Sequence, residues 1–165
     1  MTPQDVTAAV VALVAPGGRL HGRIEAADPA VELVPAKVWQ AHVWPTASAG
    51  ALLLRIYQIG AVDSVLAALW RNEARALLRV SRRSHPALPR IRDAFADPAL
   101  GFAFLLLEDP GEPLPDQPAL VKRLANSRIE AFQAFATLAE GLALLHGDGL
   151  LHRALTPSAL GVSAR

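Results

Sequence analysis

The sequence predicts an α+β protein in which strands are prominent in the first half and helices in the second. Residues 31–57 have the character of β-strands. Two stretches, 63–81 and 127–146, repeat apolar residues at the spacing of an amphipathic helix. Clusters of glycine and proline separate these stretches. The pattern therefore favours a sheet that carries one long helix, followed by a largely helical segment.

Composition limits the classes of protein that need to be considered. The chain has 165 residues, of which 52% are hydrophobic and 19% charged, as expected for a soluble globular protein of one domain or slightly more. A net charge of +1 gives no general attraction to nucleic acid or membrane. The chain has no cysteine, which excludes disulfides, a thiolate nucleophile and cysteine-bound metal. No apolar run approaches the length of a membrane span, and we expect a cytoplasmic protein.

The first 30 residues are predicted to form an amino-terminal helix and an extension. Thr2 is the expected N-cap, Pro3 the first helical residue, and the helix should end near Ala15. The glycines of residues 17–22 nearly match a phosphate-binding P-loop. The Lys and Ser or Thr that this motif needs are absent, so we predict a turn between a helix and a strand.

The second helix is predicted over residues 63–81, with Asp63 or Ser64 as its cap. Its apolar face is predicted to comprise Val65, Leu66, Leu69, Trp70, Leu77 and Leu78.

A further helix is predicted over residues 127–146. Ser127 and Glu130 form a capping-box pattern, and residues 147–149 supply the turn that ends the helix. Its recurring apolar residues are Ile129, Phe132, Ala136, Ala139, Leu142 and Leu145. If the chain is a fragment, the apolar side of this helix should remain exposed.

Residues 150–162 follow this helix and resemble the catalytic loop of a protein kinase. The family pattern is His-Arg-Asp-Leu-x-x-x-x-Asn, and His152 and Arg153 match it. Ala154 stands at the position of the proton-accepting Asp, Thr156 at that of the usual Lys, and Ala159 at that of the metal-binding Asn. A methyl group can neither accept a proton nor coordinate Mg²⁺. The resemblance therefore implies a loop that has lost its catalytic groups.

The resemblance extends to the nucleotide-binding elements. The strand at 52–57 resembles the third kinase strand, with Arg55 in place of its Lys, and Glu73 resembles the helix glutamate that pairs with that cation. The kinase glycine-rich loop is not reproduced, since its glycine positions hold Val31, Leu33 and Ala36. Lys37 is one residue out of the register needed to replace the missing lysine, so we interpret it as an exposed strand residue.

The same resemblance identifies a hinge. Leu107 matches the gatekeeper, and Glu108 and Asp109 match the residues whose backbone would meet an adenine ring. It implies an antiparallel small lobe and hinge at 31–109. Residues 110–165 would then be the truncated start of a helical large lobe, ending in the degenerate loop.

The leading hypothesis is a degenerate kinase-like (pseudokinase) domain that acts as a binding or regulatory module and does not transfer phosphate. It implies a protein partner, no membrane, no resident cofactor and at most weak ATP binding. One alternative is an active or atypical Ser/Thr protein kinase represented only by its amino-terminal part. Another is a nucleic-acid-contacting module that uses the arginines of residues 71–92. The histidines show no metal-ligand spacing, and no metal site is predicted. The sequence leaves the oligomeric state open.

Overall fold

A computed structural model describes residues 3–35, 37–47, 50–60, 64–150 and 160–162. The described helices are α1 (Pro3–Val14), α2 (Val65–Ser81), α3 (Pro118–Asn126) and α4 (Arg128–Gly147), with a 3₁₀ turn at Leu114–Asp116. The described strands are β1 (Ile24–Ala27), β2 (Val31–Val34), β3 (Val38–Pro45), β4 (Leu52–Gln58), β5 (Ile91–Asp97), β6 (Phe102–Glu108), β7 (Glu112–Pro113) and β8 (Gly161–Val162).

The chain divides into two compact units. The sheet unit comprises residues 1–75 and 91–109, and the helical unit comprises residues 76–90 and 110–165. Helix α2 begins in the first unit and ends in the second. The predicted α+β class is confirmed by the described elements.

The sheet unit is built on a six-stranded sheet in the order β1-β3-β4-β6-β5, with β2 also paired to β3. All of its pairings are antiparallel. Strand β6 is buried along nearly its whole length because it lies between β4 and β5 and carries six consecutive apolar residues. Strand β1 follows the turn at residues 17–22, after which the sequence predicted a strand, but its bounds were not predicted because its four residues, Ile-Glu-Ala-Ala, have no clear strand pattern.

Helix α1 supplies part of the core of the sheet unit. Its buried residues pack with one face of the sheet, where Trp39, Leu54, Ile56 and Phe104 are also buried. The helix residues in this cluster are Val6, Ala9, Val10 and Leu13. Burial of apolar side chains is the main stabilising contribution in such a cluster, so α1 contributes to the stability of the sheet unit.

The turn after α1 depends on two glycines. Gly17 has φ +88°, and a side chain at Gly18 would lie 2.3 Å from the carbonyl oxygens of Ala12 and Leu13. The near match to a P-loop is therefore a helix-ending turn, as predicted. It leads into β1 at Ile24.

Helix α2 begins as predicted, because the Ser64 hydroxyl accepts a hydrogen bond from the Ala67 N–H at 3.1 Å. The alternative cap, Asp63, lies outside the described residues. The predicted apolar face is partly wrong, since Val65, Leu69 and Leu78 are exposed. The buried positions are Ala67, Ala74 and Val80. Apolar residues occur nearly all round this helix, so their spacing alone could not select the buried side.

In the helical unit, Ser127 ends α3 and caps α4. Its hydroxyl accepts from the Glu130 N–H at 3.3 Å, which confirms half of the predicted capping box. The reciprocal half is absent, because the Ser127 N–H donates to the carbonyl oxygen of Arg123. The Glu130 carboxylate instead pairs with Arg123 at 2.8 Å.

Helix α4 buries only one residue, Gly141. A side chain there would lie 3.1 Å from the Cβ of Ala87 and 3.3 Å from the His85 ring. The large residues Ile129, Phe132 and Phe135 are all exposed. Of the recurring apolar residues predicted for this helix, Ile129 and Phe132 are exposed, whereas Leu142 and Leu145 are half-buried.

Among the described residues, no helix combines the length and the apolar character that a membrane crossing requires.

Candidate functional site

The candidate site is a charged cluster on the face of the sheet that meets α2. Arg55 lies in β4, and its guanidinium Nη1 donates to Oε1 of Glu73 in α2. The ion pair predicted from sequence is therefore present. Both side chains are a little over one quarter exposed, at 28% and 27%.

Strand alternation explains why Arg55 faces this helix. Leu54 and Ile56 have opposite parity to Arg55 and belong to the apolar cluster on the α1 side. Trp70, one turn before Glu73, anchors α2 to the sheet by donating its indole N–H to the Phe104 carbonyl at 3.2 Å. The sheet thus has an apolar face toward α1 and a face toward α2 that contains the charged pair.

Tyr57 is a third member of the cluster, and the sequence reasoning missed it. Its hydroxyl donates to Oε2 of Glu73, so each carboxylate oxygen of Glu73 has its own donor. The signal was available in the sequence, because Tyr57 is two residues after Arg55 on the same strand and must share its face.

Burial and mutual contact set the charges of this cluster. Burial raises the pKa of Tyr57, and the neighbouring Glu73 carboxylate raises it further, so the phenol is held neutral. Burial opposes the charged form of Arg55, but Glu73 and Tyr57 outweigh it and the pKa of Arg55 is raised. The cluster therefore holds one cation, one carboxylate and one neutral donor.

Glu73 holds the Arg55 guanidinium through one of its three nitrogen atoms. Its Nη1 is engaged by Glu73, and its Nε is buried with no hydrogen-bond partner among the described residues. A kinase lysine offers a compact ammonium that can turn toward phosphate, whereas this planar guanidinium is fixed against a carboxylate.

The segment that matches the glycine-rich loop does not resemble a phosphate cradle. Strand β2 carries the exposed side chains of Val31 and Leu33, and the chain then turns through a hydrogen bond from the Lys37 N–H to the Val34 carbonyl at 3.0 Å. Glycine positions allow close approach of backbone to phosphate, and side chains prevent it. Lys37 is exposed, as predicted, although it lies in this turn and not in a strand. Ala36 lies outside the described residues.

The predicted hinge residues form the end of β6 and the residue after it. Leu107 is buried, and Glu108 is paired with Arg92 at 2.6 Å. Asp109 lies 3.6 Å from the ring nitrogen of His42. These side chains make contacts within the sheet unit, and their predicted role toward adenine stays a prediction.

One predicted set of site residues belongs to the stretch that resembles a kinase catalytic loop. His152, Arg153, Ala154, Thr156 and Ala159 lie outside the described residues. Their interpretation continues to rest on the sequence.

The arginines of residues 71–92 are largely engaged by protein groups. Arg83 forms a two-point contact with the Asp148 carboxylate, at 2.6 Å and 3.3 Å, and Arg79 donates to the Asp148 carbonyl at 3.1 Å. The hydrogen bond from Arg83 lowers the pKa of Asp148. Arg90 donates to Ser84 at 2.6 Å. Arginines that contact protein groups in this way offer less charge to a nucleic-acid backbone than their number in the sequence indicates.

The described part of the chain contains no group of three or more histidine or acidic side chains placed to hold a metal ion. No protein-family model matches this chain, and a comparison with curated proteins likewise found no match.

Proposed function

We propose that this chain is a degenerate protein-kinase-like domain that binds or regulates another protein without transferring phosphate. The observation that carries the proposal is the ion pair between Arg55 of β4 and Glu73 of α2. This pair joins a strand to the helix that follows it, as the kinase resemblance requires of the third strand and its helix. The chain then continues through two strands to the predicted hinge at Glu108.

The loss of phosphotransfer is argued from the sequence and supported by the charged cluster. Ala154 and Ala159 replace the proton acceptor and the metal ligand of the family pattern. The cation paired with Glu73 is Arg55, whose planar guanidinium is a poor substitute for the compact ammonium that contacts the phosphates in the family pattern. Such a domain acts through the surfaces it presents and not through chemistry at the nucleotide.

Calorimetric titration with Mg²⁺-ATP and with adenosine tests the nucleotide half of this proposal. We expect Mg²⁺-ATP to bind with a Kd weaker than about 1 mM, which corresponds to about 4 kcal/mol of binding free energy. Any residual affinity should be shared by adenosine and should not depend on Mg²⁺. Micromolar, Mg²⁺-dependent affinity for ATP would contradict the proposal.

A phosphotransfer assay tests the catalytic half. The chain is incubated with labelled ATP and general protein substrates, and a heat-inactivated sample is the control. We expect no transfer above that control, because loss of a general base alone typically costs about 10² to 10⁴ in rate. Transfer by the unmodified chain, abolished by Arg55→Ala, would favour the alternative of an atypical kinase.

A further inference from the structure

The end of α2 and the segment that follows it place one serine among several arginines. Residues 76–90 contain the arginines at positions 79, 82, 83 and 90 and no acidic residue. Ser84 lies between these arginines in an exposed stretch that follows the end of α2 at Ser81. The whole stretch belongs to the helical unit. Positive charge is therefore concentrated around a hydroxyl group.

Two of these arginines have no acidic partner among the described residues. Arg90 donates from Nη2 to Oγ of Ser84 at 2.6 Å, so its partner is a neutral oxygen. Arg82 is exposed and pairs with no described carboxylate. Arg83 differs, because Asp148 holds it at 2.6 Å and 3.3 Å. A guanidinium forms its strongest hydrogen bonds with a carboxylate or a phosphate, and Arg82 and Arg90 remain able to do so.

The backbone at Ser84 is also unusual. Its φ is +48°, and no other non-glycine residue in the described ranges has a positive φ. This left-handed conformation is uncommon for serine and persists only where surrounding contacts hold it. Residues held in this way are concentrated at active sites, ligand sites and switch regions. The contact with Arg90 closes the segment on itself and presents the hydroxyl to a cation.

We infer that Ser84 is a phosphorylation site whose phosphate group is held by Arg90 and Arg82. A separate Ser/Thr kinase supplies the group from Mg²⁺-ATP. Oγ of Ser84 attacks the γ-phosphorus, the bond from that phosphorus to the bridging oxygen of the β-phosphate breaks, and ADP leaves. The hydroxyl proton passes to the general base of that kinase. The product carries about −1.5 to −2 charge and three acceptor oxygens, which form charge-assisted hydrogen bonds with an arginine cluster.

A phosphate attached to Ser84 fits these arginines better than a free anion does. Arg82 and Arg83 directly precede Ser84, and kinases select their substrates by the pattern of charges around the target residue. A phosphate on Ser84 is tethered beside Arg90, so its local concentration there is high. The carboxyl end of α2 disfavours an anion, but this effect falls off within the last helical turn, and Ser84 follows that turn.

Mapping of phosphate on the full chain provides the first test. The chain is incubated with Mg²⁺-ATP and a Ser/Thr kinase that prefers arginine on the amino-terminal side of its target, and mass spectrometry locates the phosphate. We expect one phosphate, on Ser84, which is lost in Ser84→Ala and kept in the matched control Ser81→Ala. Circular dichroism checks that both variants keep their helices. No incorporation, or phosphate on Ser81 alone, would overturn the inference.

A second measurement tests the arginine contacts and does not depend on the choice of kinase. Phosphoserine is incorporated in place of Ser84 during synthesis, and ³¹P NMR follows its second ionisation, which has a pKa of about 6 in an unfolded chain. We expect a lower pKa in the folded chain, because nearby guanidinium groups favour the dianion. Arg90→Gln should return the pKa most of the way toward that of the unfolded chain. Arg75→Gln, at an exposed arginine of the sheet unit, is the matched control and should leave the pKa unchanged.

Two outcomes of these titrations would overturn the inference. One is an equal phosphoserine pKa in the folded and unfolded chains, which would show that the arginines do not hold the phosphate. The other is tight binding of inorganic phosphate to the unmodified chain, with a Kd below about 1 mM that Arg90→Gln abolishes. That result would assign Arg90 to a free anion, whereas we expect inorganic phosphate to bind more weakly.

Discussion

Helix α1 and helix α4 are both rich in apolar residues, but only α1 buries them. Helix α1 places Val6 and Leu13 in the core of the sheet unit, almost fully buried. Helix α4 buries Gly141 and leaves Phe132 exposed. The difference teaches that apolar content does not decide burial, because a helix also needs a facing surface of matching area. The sheet offers α1 such a surface, whereas Ile129, Phe132 and Phe135 of α4 stay exposed.

The largest effect should come from making the same substitution in the core that α1 packs against and on the exposed face of α4. Phe104→Ala in β6 should lower the free energy of unfolding by about 3–5 kcal/mol, because it leaves a cavity in a fully buried site. Phe132→Ala in α4 should change it by no more than about 0.5 kcal/mol, measured at low protein concentration. Urea denaturation followed by tryptophan fluorescence measures both. Equal losses of unfolding free energy would show that Phe132 is buried in solution and would contradict the contrast between α1 and α4.

The contribution of α1 can be measured within the helix itself. Leu13→Ala should cost about 2–5 kcal/mol, since Leu13 is 2% exposed and packs in the core cluster. Val11→Ala, two residues earlier on the solvent side, should cost no more than about 0.5 kcal/mol. Thermal denaturation distinguishes the two. Similar small losses would mean that α1 is not part of the core.

The charged cluster predicts a loss of stability at alkaline pH. Burial and Glu73 raise the pKa of Tyr57 above its unfolded value of about 10. The neutral phenol therefore stabilises the fold below about pH 10, and this contribution is lost as the pH rises further. Tyr57→Phe should cost about 1–2 kcal/mol at neutral pH, and the difference from the unmodified chain should shrink above pH 10.

Phenolate absorbance provides a direct measurement of that titration. Tyr57 is the one tyrosine of the chain, so the signal reports on this residue alone. We expect the native protein to titrate at a higher pH than the urea-unfolded chain. Coincident titrations would show that Tyr57 does not donate to Glu73 in solution.

The smallest effect should come from the cap of α4. Ser127→Ala removes the acceptor of the Glu130 N–H and should cost about 1 kcal/mol. Ser127→Asp keeps an acceptor at this position and serves as the control. Glu130→Gln should cost less than about 1 kcal/mol, because its pair with Arg123 is exposed to solvent. Helicity measured by circular dichroism during denaturation distinguishes these variants.

Much of the architecture follows from local sequence patterns. The capping residues Ser64 and Ser127 and the glycines at 17 and 18 mark helix ends, because the backbone groups and torsion angles there tolerate few residue types. The pairing of Arg55 with Glu73 was also predicted, from the kinase resemblance. The bounds of β1 and the buried side of α2 could not be predicted, because both depend on which surface lies opposite.

The sequence by itself determined the α+β class and the starts of α2 and α4, whereas the reading of Ala154 and Ala159 as lost catalytic positions stays a prediction. Only the tertiary structure decided that α1 completes the sheet core and that Tyr57 joins the charged cluster. The physical reason is distance along the chain. Caps and turns involve neighbours in sequence, whereas burial and ion pairs join residues that meet only when the chain has folded.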